Sequence, residues 1–299
     1  MTGAPRCLTA AIAAMAVISA AIGLASCGNG TQPAPGDAAP AKVVPERVVP
    51  APKDLIAAAE PQANGIMWAL AGKPGRGLFE FGSAGGRMAG SVPVSNTARS
   101  VAESSAGVLG VALGAGRSGA LELLDGRTAK VIRTVALPAP ARQVVLGSDG
   151  STFYVLTAWA TSASVTIVNS QNGRKLGNVP VPVNTVSVAP DIQQAALYVL
   201  QGNGLVDAIG ISGGKIMARF TVGAPGRSIA LSPDGSTLYV LKGTSAVSNV
   251  AVVDVSTESV RRVLPAPSDC RELLVSASGR QLYEVVGTPG YGNIQVFAA

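Results

Sequence analysis

The chain has 299 residues, 47% hydrophobic but only 4% aromatic, 13% charged, with 36 glycines, 20 prolines, no histidine and a net charge of +6. A sequence so apolar and so poor in charge is not intrinsically disordered, and its length suffices for one large domain or two ordinary ones. The lack of histidine excludes Ser-His-Asp and Cys-His catalytic arrangements, the usual zinc and facial-triad iron sites, and the commonest general base at neutral pH.

The first 27 residues carry one charge, Arg6, followed by an apolar run from Leu8 to Gly23 and then Leu24-Ala25-Ser26-Cys27-Gly28. A positive start, a short apolar stretch and small residues at a cleavage point are the layout of a secretory signal peptide, here over residues 1–26. The apolar run is shorter than the roughly 20 residues that a membrane span needs. Cys27 directly after Leu-Ala-Ser resembles the lipobox of bacterial lipoproteins. That resemblance implies cleavage before Cys27, a diacylglycerol on its thiol and acylation of the new amine. Two or more acyl chains, each CH₂ worth about 0.8 kcal/mol when buried, hold a protein stably on a bilayer. The expected address is the outer face of a bacterial cell membrane.

Residues 27–45 read as the lipidated cysteine and a Gly/Pro/Ala-rich tether without apolar periodicity, whose flexible reach is about 20–25 Å. Cys7 leaves with the signal and Cys27 becomes a thioether, so Cys270 stands alone and no disulfide within the chain is expected. An unpaired thiol in an oxidising compartment survives by burial. Losing residues 1–26 removes Arg6 alone and leaves a net charge of +5. The basic residues are scattered, and nucleic-acid binding gains no support.

From residue 46 onward the sequence repeats itself. Leu146-Gly-Ser-Asp-Gly-Ser-Thr-Phe-Tyr-Val-Leu156 returns as Leu231-Ser-Pro-Asp-Gly-Ser-Thr-Leu-Tyr-Val-Leu241, with weaker copies ending in Tyr198 and Tyr283. Tyr154, Tyr198, Tyr239 and Tyr283 lie 44, 41 and 44 residues apart, and stepping back by about 43 lands on Val111 and Trp68. Within one period, four short β-branched stretches are separated by Asp-Gly turns and polar loops, which is the pattern of one β-propeller blade. The last period has three such stretches. Glu46-Arg-Val-Val-Pro-Ala-Pro52 echoes Val260-Arg-Arg-Val-Leu-Pro-Ala-Pro267, an outer strand and its loop. Residues 46–50 are therefore expected to complete the final blade and leave no open ring edge. The fold class is all-β: a propeller of six four-stranded blades over residues 46–299, with seven blades as the alternative.

The Ser232-Pro-Asp-Gly235 turn followed by Leu238-Tyr-Val240 resembles the YVTN family of β-propeller repeats, most clearly between residues 141 and 285. The resemblance implies fold far more than function.

In such a propeller the loops leading into each inner strand surround one mouth of the central channel. The residues opening the inner strands are Arg99, Arg142, Asn184, Arg227 and Arg271, with Lys53 or Asp54 in the first blade. Guanidinium forks suit carboxylate and phosphate, so this ring is a candidate binding site for a small anionic ligand, while the alternative is that arginine bonds loop carbonyls as a routine feature of the repeat. Loops on the same face add Lys73, Arg76, Arg117 and Lys242, and Trp159 and Tyr291 are candidate contact aromatics for a protein partner. Asp125, Asp207 and Asp254 are expected to close turns. Glu103 and Glu272 are the carboxylates nearest the mouth, but no acid–base pair, metal-ligand cluster or cofactor motif emerges. The expected function is a binding or assembly module for an envelope protein or a small anion. The alternatives are a lactonase-type propeller hydrolase or lyase, and a structural spacer.

Overall fold

The computed structural model describes residues 44–60, 65–72, 76–82, 88, 90–223, 225–244 and 246–299. The signal sequence, Cys27, nearly all of the tether and Lys73 lie outside the described residues.

The described residues form strands without helices, in six antiparallel sheets of four. The first blade contains β2 (Leu55–Ala58), β3 (Ile66–Ala71), β4 (Gly77–Gly82) and β5 (Gly90–Pro93); the second β6 (Ala98–Glu103), β7 (Val108–Ala115), β8 (Ser118–Asp125) and β9 (Val131–Leu137). The third contains β10 (Ala141–Leu146), β11 (Thr152–Trp159), β12 (Ser162–Asn169) and β13 (Lys175–Val181); the fourth β14 (Thr185–Asp191), β15 (Ala196–Gln201), β16 (Leu205–Gly210) and β17 (Ile216–Thr221). The fifth is β18 (Gly226–Leu231), β19 (Thr237–Gly243), β20 (Ser248–Asp254) and β21 (Ser259–Ala266). The sixth joins β22 (Cys270–Val275), β23 (Gln281–Thr288) and β24 (Tyr291–Ala298) to β1 (Arg47–Pro50). The protein is a six-bladed β-propeller, closed as the sequence echo predicts: Arg47 pairs with Val296 and Pro50 with Asn293. The Glu46 N–H extends the seam by donating to the Val296 carbonyl at 2.8 Å.

Each blade is apolar on both faces, and the core is six clusters, one at each seam between blades. The outer strands β9 and β13 expose their first four residues and alternate between buried and exposed only over their last three. The repeat aromatics Tyr154, Tyr198, Tyr239, Tyr283 and Trp68 are all buried on their second strands.

The second blade departs from the expected alignment. Its turn between first and second strands is one residue shorter, because Glu103 pairs with Leu109 whereas the equivalent Leu146 pairs with Phe153. A one-residue shift sends every side chain of a strand to the other face. Val111 accordingly packs toward the first blade, beside Trp68, and Gly110 takes the place of the aromatic. The ring of Phe153 fills that space, 3.0 Å from where a Gly110 Cβ would stand. This accounts for phenylalanine where the other repeats carry Leu197, Leu238 and Leu282.

The hairpin tips are small for a related reason. Gly287 faces Gly292, and a Cβ on either would meet the carbonyl oxygen of Leu55 at 2.2 Å or of Pro52 at 2.0 Å. The loop entering the next blade crosses directly over this pair. Gly114 and Gly119 do the same under Ala139–Ala141.

Candidate functional site

Every inner strand carries a register irregularity at its start: Leu55/Ala57, Ala98/Ser100, Ala141/Gln143, Thr185/Ser187, Gly226/Ser228 and Cys270/Glu272. A bulge leaves one residue unpaired and re-aims its side chain. The bulged residues are Ile56, Arg99, Arg142, Val186, Arg227 and Arg271, and all six line one shallow depression of about 130 Å³. The four arginines therefore do ring one channel mouth. Asn184 does not share their position: the bulge of the fourth blade falls two residues later and presents Val186. In the first blade it presents Ile56 in place of Lys53 or Asp54. The ring is four guanidiniums with two apolar members.

The arginines are not equivalent. Arg227 donates through one nitrogen to Ser248 Oγ and to the Ser268 carbonyl, both at 3.0 Å. Arg271 donates to the Gly287 carbonyl at 2.5 Å. These two match the structural role of bonding loop carbonyls. Arg99 and Arg142 are exposed, and among the described residues no hydrogen bond or ion pair holds either guanidinium. Arg76 donates to the Asn96 and Ala98 carbonyls, both at 2.6 Å, and burial together with the nearby Arg99 charge lowers its pKa.

The residue after each bulge forms a polar belt just inside the mouth, a feature not recognised in the sequence. Ser100 Oγ accepts the Val144 N–H at 3.2 Å, Gln143 Oε1 that of Val188 at 2.9 Å, Ser187 Oγ that of Ile229 at 3.2 Å and Ser228 Oγ that of Leu273 at 3.1 Å. Glu272 Oε2 continues it by accepting the Ala58 N–H at 3.1 Å. Five of the six inner-strand amides that would otherwise face the channel unpaired are thus met by the preceding blade. The sixth position is Ala57, which has no acceptor. The signal was present in the sequence as a polar residue directly after each arginine.

Trp159 and Tyr291 stand at strand tips on the same face as the arginines, 39% and 51% exposed. The Arg117 guanidinium lies 5.9 Å from the Trp159 ring centroid, a cation–π distance. Lys242 donates to the Val222 carbonyl at 2.5 Å. Of the three aspartates expected at turns, Asp125 and Asp254 accept the amides two and three residues on. Asp207 instead lies fully buried within β16, bonded to Gln201 Nε2 at 2.8 Å and Arg219 Nε at 2.6 Å. Glu103 lies at the far end of its inner strand, away from the arginine mouth, and Glu272 alone lines the channel on both sides of the belt.

No family model matches the sequence, and no curated protein matches it. Among solved structures the chain is similar to hydrazine synthase of Kuenenia stuttgartiensis, with a TM-score of 0.62 at 14% identity over 78% of this chain and 74% of that one. That likeness is one of fold, and it places this chain among the β-propellers.

Proposed function

We propose that this chain is a lipid-anchored, extracytoplasmic propeller of YVTN-type repeats that acts as a binding module, its arginine mouth taking the anionic group of a small ligand or of an envelope protein. The observation that carries the reading is that Arg99 and Arg142 stand exposed at the mouth without a hydrogen-bonding partner among the described residues, whereas Arg227 and Arg271 are engaged by the protein. A guanidinium serving only the fold would be bonded as those two are. The resemblance of Leu24-Ala-Ser-Cys27 to a lipobox supports the membrane address. Titration calorimetry with a tricarboxylate and with inorganic pyrophosphate tests the site. Binding should weaken at least about tenfold in Arg99→Ala/Arg142→Ala and weaken with salt, with the melting temperature unchanged. A loss of melting temperature without any effect on anion binding would leave the arginines a structural role. Loss of detergent-phase partitioning in Cys27→Ser tests the anchor.

A further inference from the structure

Beyond the polar belt the channel widens toward the face of the Asp-Gly turns into a cavity of about 350 Å³. This is within the size range of small-molecule sites. Its walls are mostly apolar and include Ala102, Val145, Ala189, Ala230 and Leu274. Its ionisable lining is entirely acidic: Glu60, Glu103, Asp149, Asp191 and Glu272, with no lysine or arginine among the described residues. Asp191 is only 2% exposed; its Oδ1 accepts the Gln194 N–H at 3.1 Å, while its Oδ2 has no hydrogen-bond partner among the described residues. Gly235 of the next blade, also in the cavity wall, approaches so closely that a Cβ there would lie 3.2 Å from that oxygen. A buried carboxylate oxygen without a donor is unfavourable, and a ligand that brings a donor removes the penalty.

We propose that this cavity is a binding site for a small organic cation, an ammonium group carried on an apolar body. The apolar walls suit the body and the acidic lining suits the charge. A metal ion fits poorly, since among the described residues no three His, Cys, Asp or Glu side chains are grouped to hold one. An anion would find no lysine or arginine among the described lining residues to balance its charge. The site is separate from the arginine mouth and does not rest on the function proposed there.

The protonation of the lining agrees with this reading. Burial pushes Glu60 and Glu272 up to about 8, and burial with the neighbouring Glu80 charge pushes Glu103 up to about 7. Tyr283 faces Glu60, and the Ala58 amide faces Glu272. Glu60, Glu103 and Glu272 therefore hold protons near neutral pH, and an entering cation displaces them.

Calorimetry of the full chain with benzylamine, benzyl alcohol and benzoate tests the proposal. Benzylamine alone should bind, with a heat that changes between buffers of different ionisation enthalpy because protons are released. Glu60→Gln/Glu103→Gln should weaken it at least about tenfold, and Arg99→Ala/Arg142→Ala should leave it unchanged. Should the glutamine variant fail to fold, Ala189→Met, which fills the cavity, should block binding in its place. Equal binding of benzyl alcohol, preference for benzoate, no binding of any probe into the millimolar range, or amine binding indifferent to these substitutions would overturn it.

Discussion

Glu272 Oε2 in the sixth blade accepts the backbone N–H of Ala58 in the first at 3.1 Å, joining residues 214 positions apart. The belt to which it belongs runs from blade to blade and breaks only where Ala57 offers no acceptor to the second blade. Glu272→Leu should therefore expose a buried amide and lower stability by about 1–3 kcal/mol in urea denaturation, with Glu272→Gln losing less. Ala57→Ser, which supplies the missing oxygen for the Val101 amide, should stabilise by about 0.5–1.5 kcal/mol.

Four carboxyls bind their protons more tightly in the folded chain than in the unfolded one. Burial holds Glu60, Glu272 and Glu284 at about 8, and burial with Glu80 holds Glu103 at about 7, against an ordinary 4.5. Between these limits the native chain keeps protons that the unfolded chain has released. Stability should fall as pH rises from about 5 to about 8, by up to about 1.4 kcal/mol per pH unit for each group in that window. Asp125, held low chiefly by the Thr128 and Arg127 amides, and Asp234, held low chiefly by the Ser232 hydroxyl, act in the opposite sense below their ordinary 3.8. Urea midpoints across pH check this. Glu284→Gln should flatten the slope most cleanly, because Glu284 Oε2 lies buried without a hydrogen-bond partner among the described residues, where other repeats carry Val155, Val199 and Val240.

Hairpin tips that pass under a neighbouring loop tolerate no side chain. Gly119→Val and Gly292→Val should each lower stability by about 3 kcal/mol or prevent folding, since a Cβ would stand 2.1 or 2.0 Å from a carbonyl oxygen. Gly82→Ala, with no described atom near its added Cβ and no special backbone angle, should be close to neutral in the same thermal melts.

Cys270 is fully buried, and burial followed by the Glu284 charge pushes its thiol well above the ordinary value. Its modification by a maleimide at pH 8 should be negligible in the native chain and rapid in urea. Mass spectrometry of timed samples reads both rates.

The sequence announced the propeller because its signals repeat: an Asp-Gly turn and a Tyr-containing strand every 43 residues or so survive divergence of any one copy. The same regularity located the arginine mouth, since Arg99, Arg142, Arg227 and Arg271 keep their place in the period. What it misplaced depends on single-residue register. Asn184 seemed aligned with the arginines, but the bulge in β14 falls at Val186, and bulges have no composition of their own here. Val111 was displaced by a turn one residue short. The acidic cavity was hidden differently, because Glu60, Glu103, Asp191 and Glu272 are far apart in sequence and only ring closure brings them to one space.

The pairing of β1 with β24 also dictates a schedule. The strand made earliest in the propeller finds its partner only after the last strand has been synthesised, so five blades can form while the sixth still presents bare hydrogen-bonding edges at both ends of the ring. Pairing across nearly the whole length of the domain is entropically slow. Until it occurs the chain is at its most vulnerable to mispairing with other chains, which makes ring closure the step at which a folding helper would have most effect.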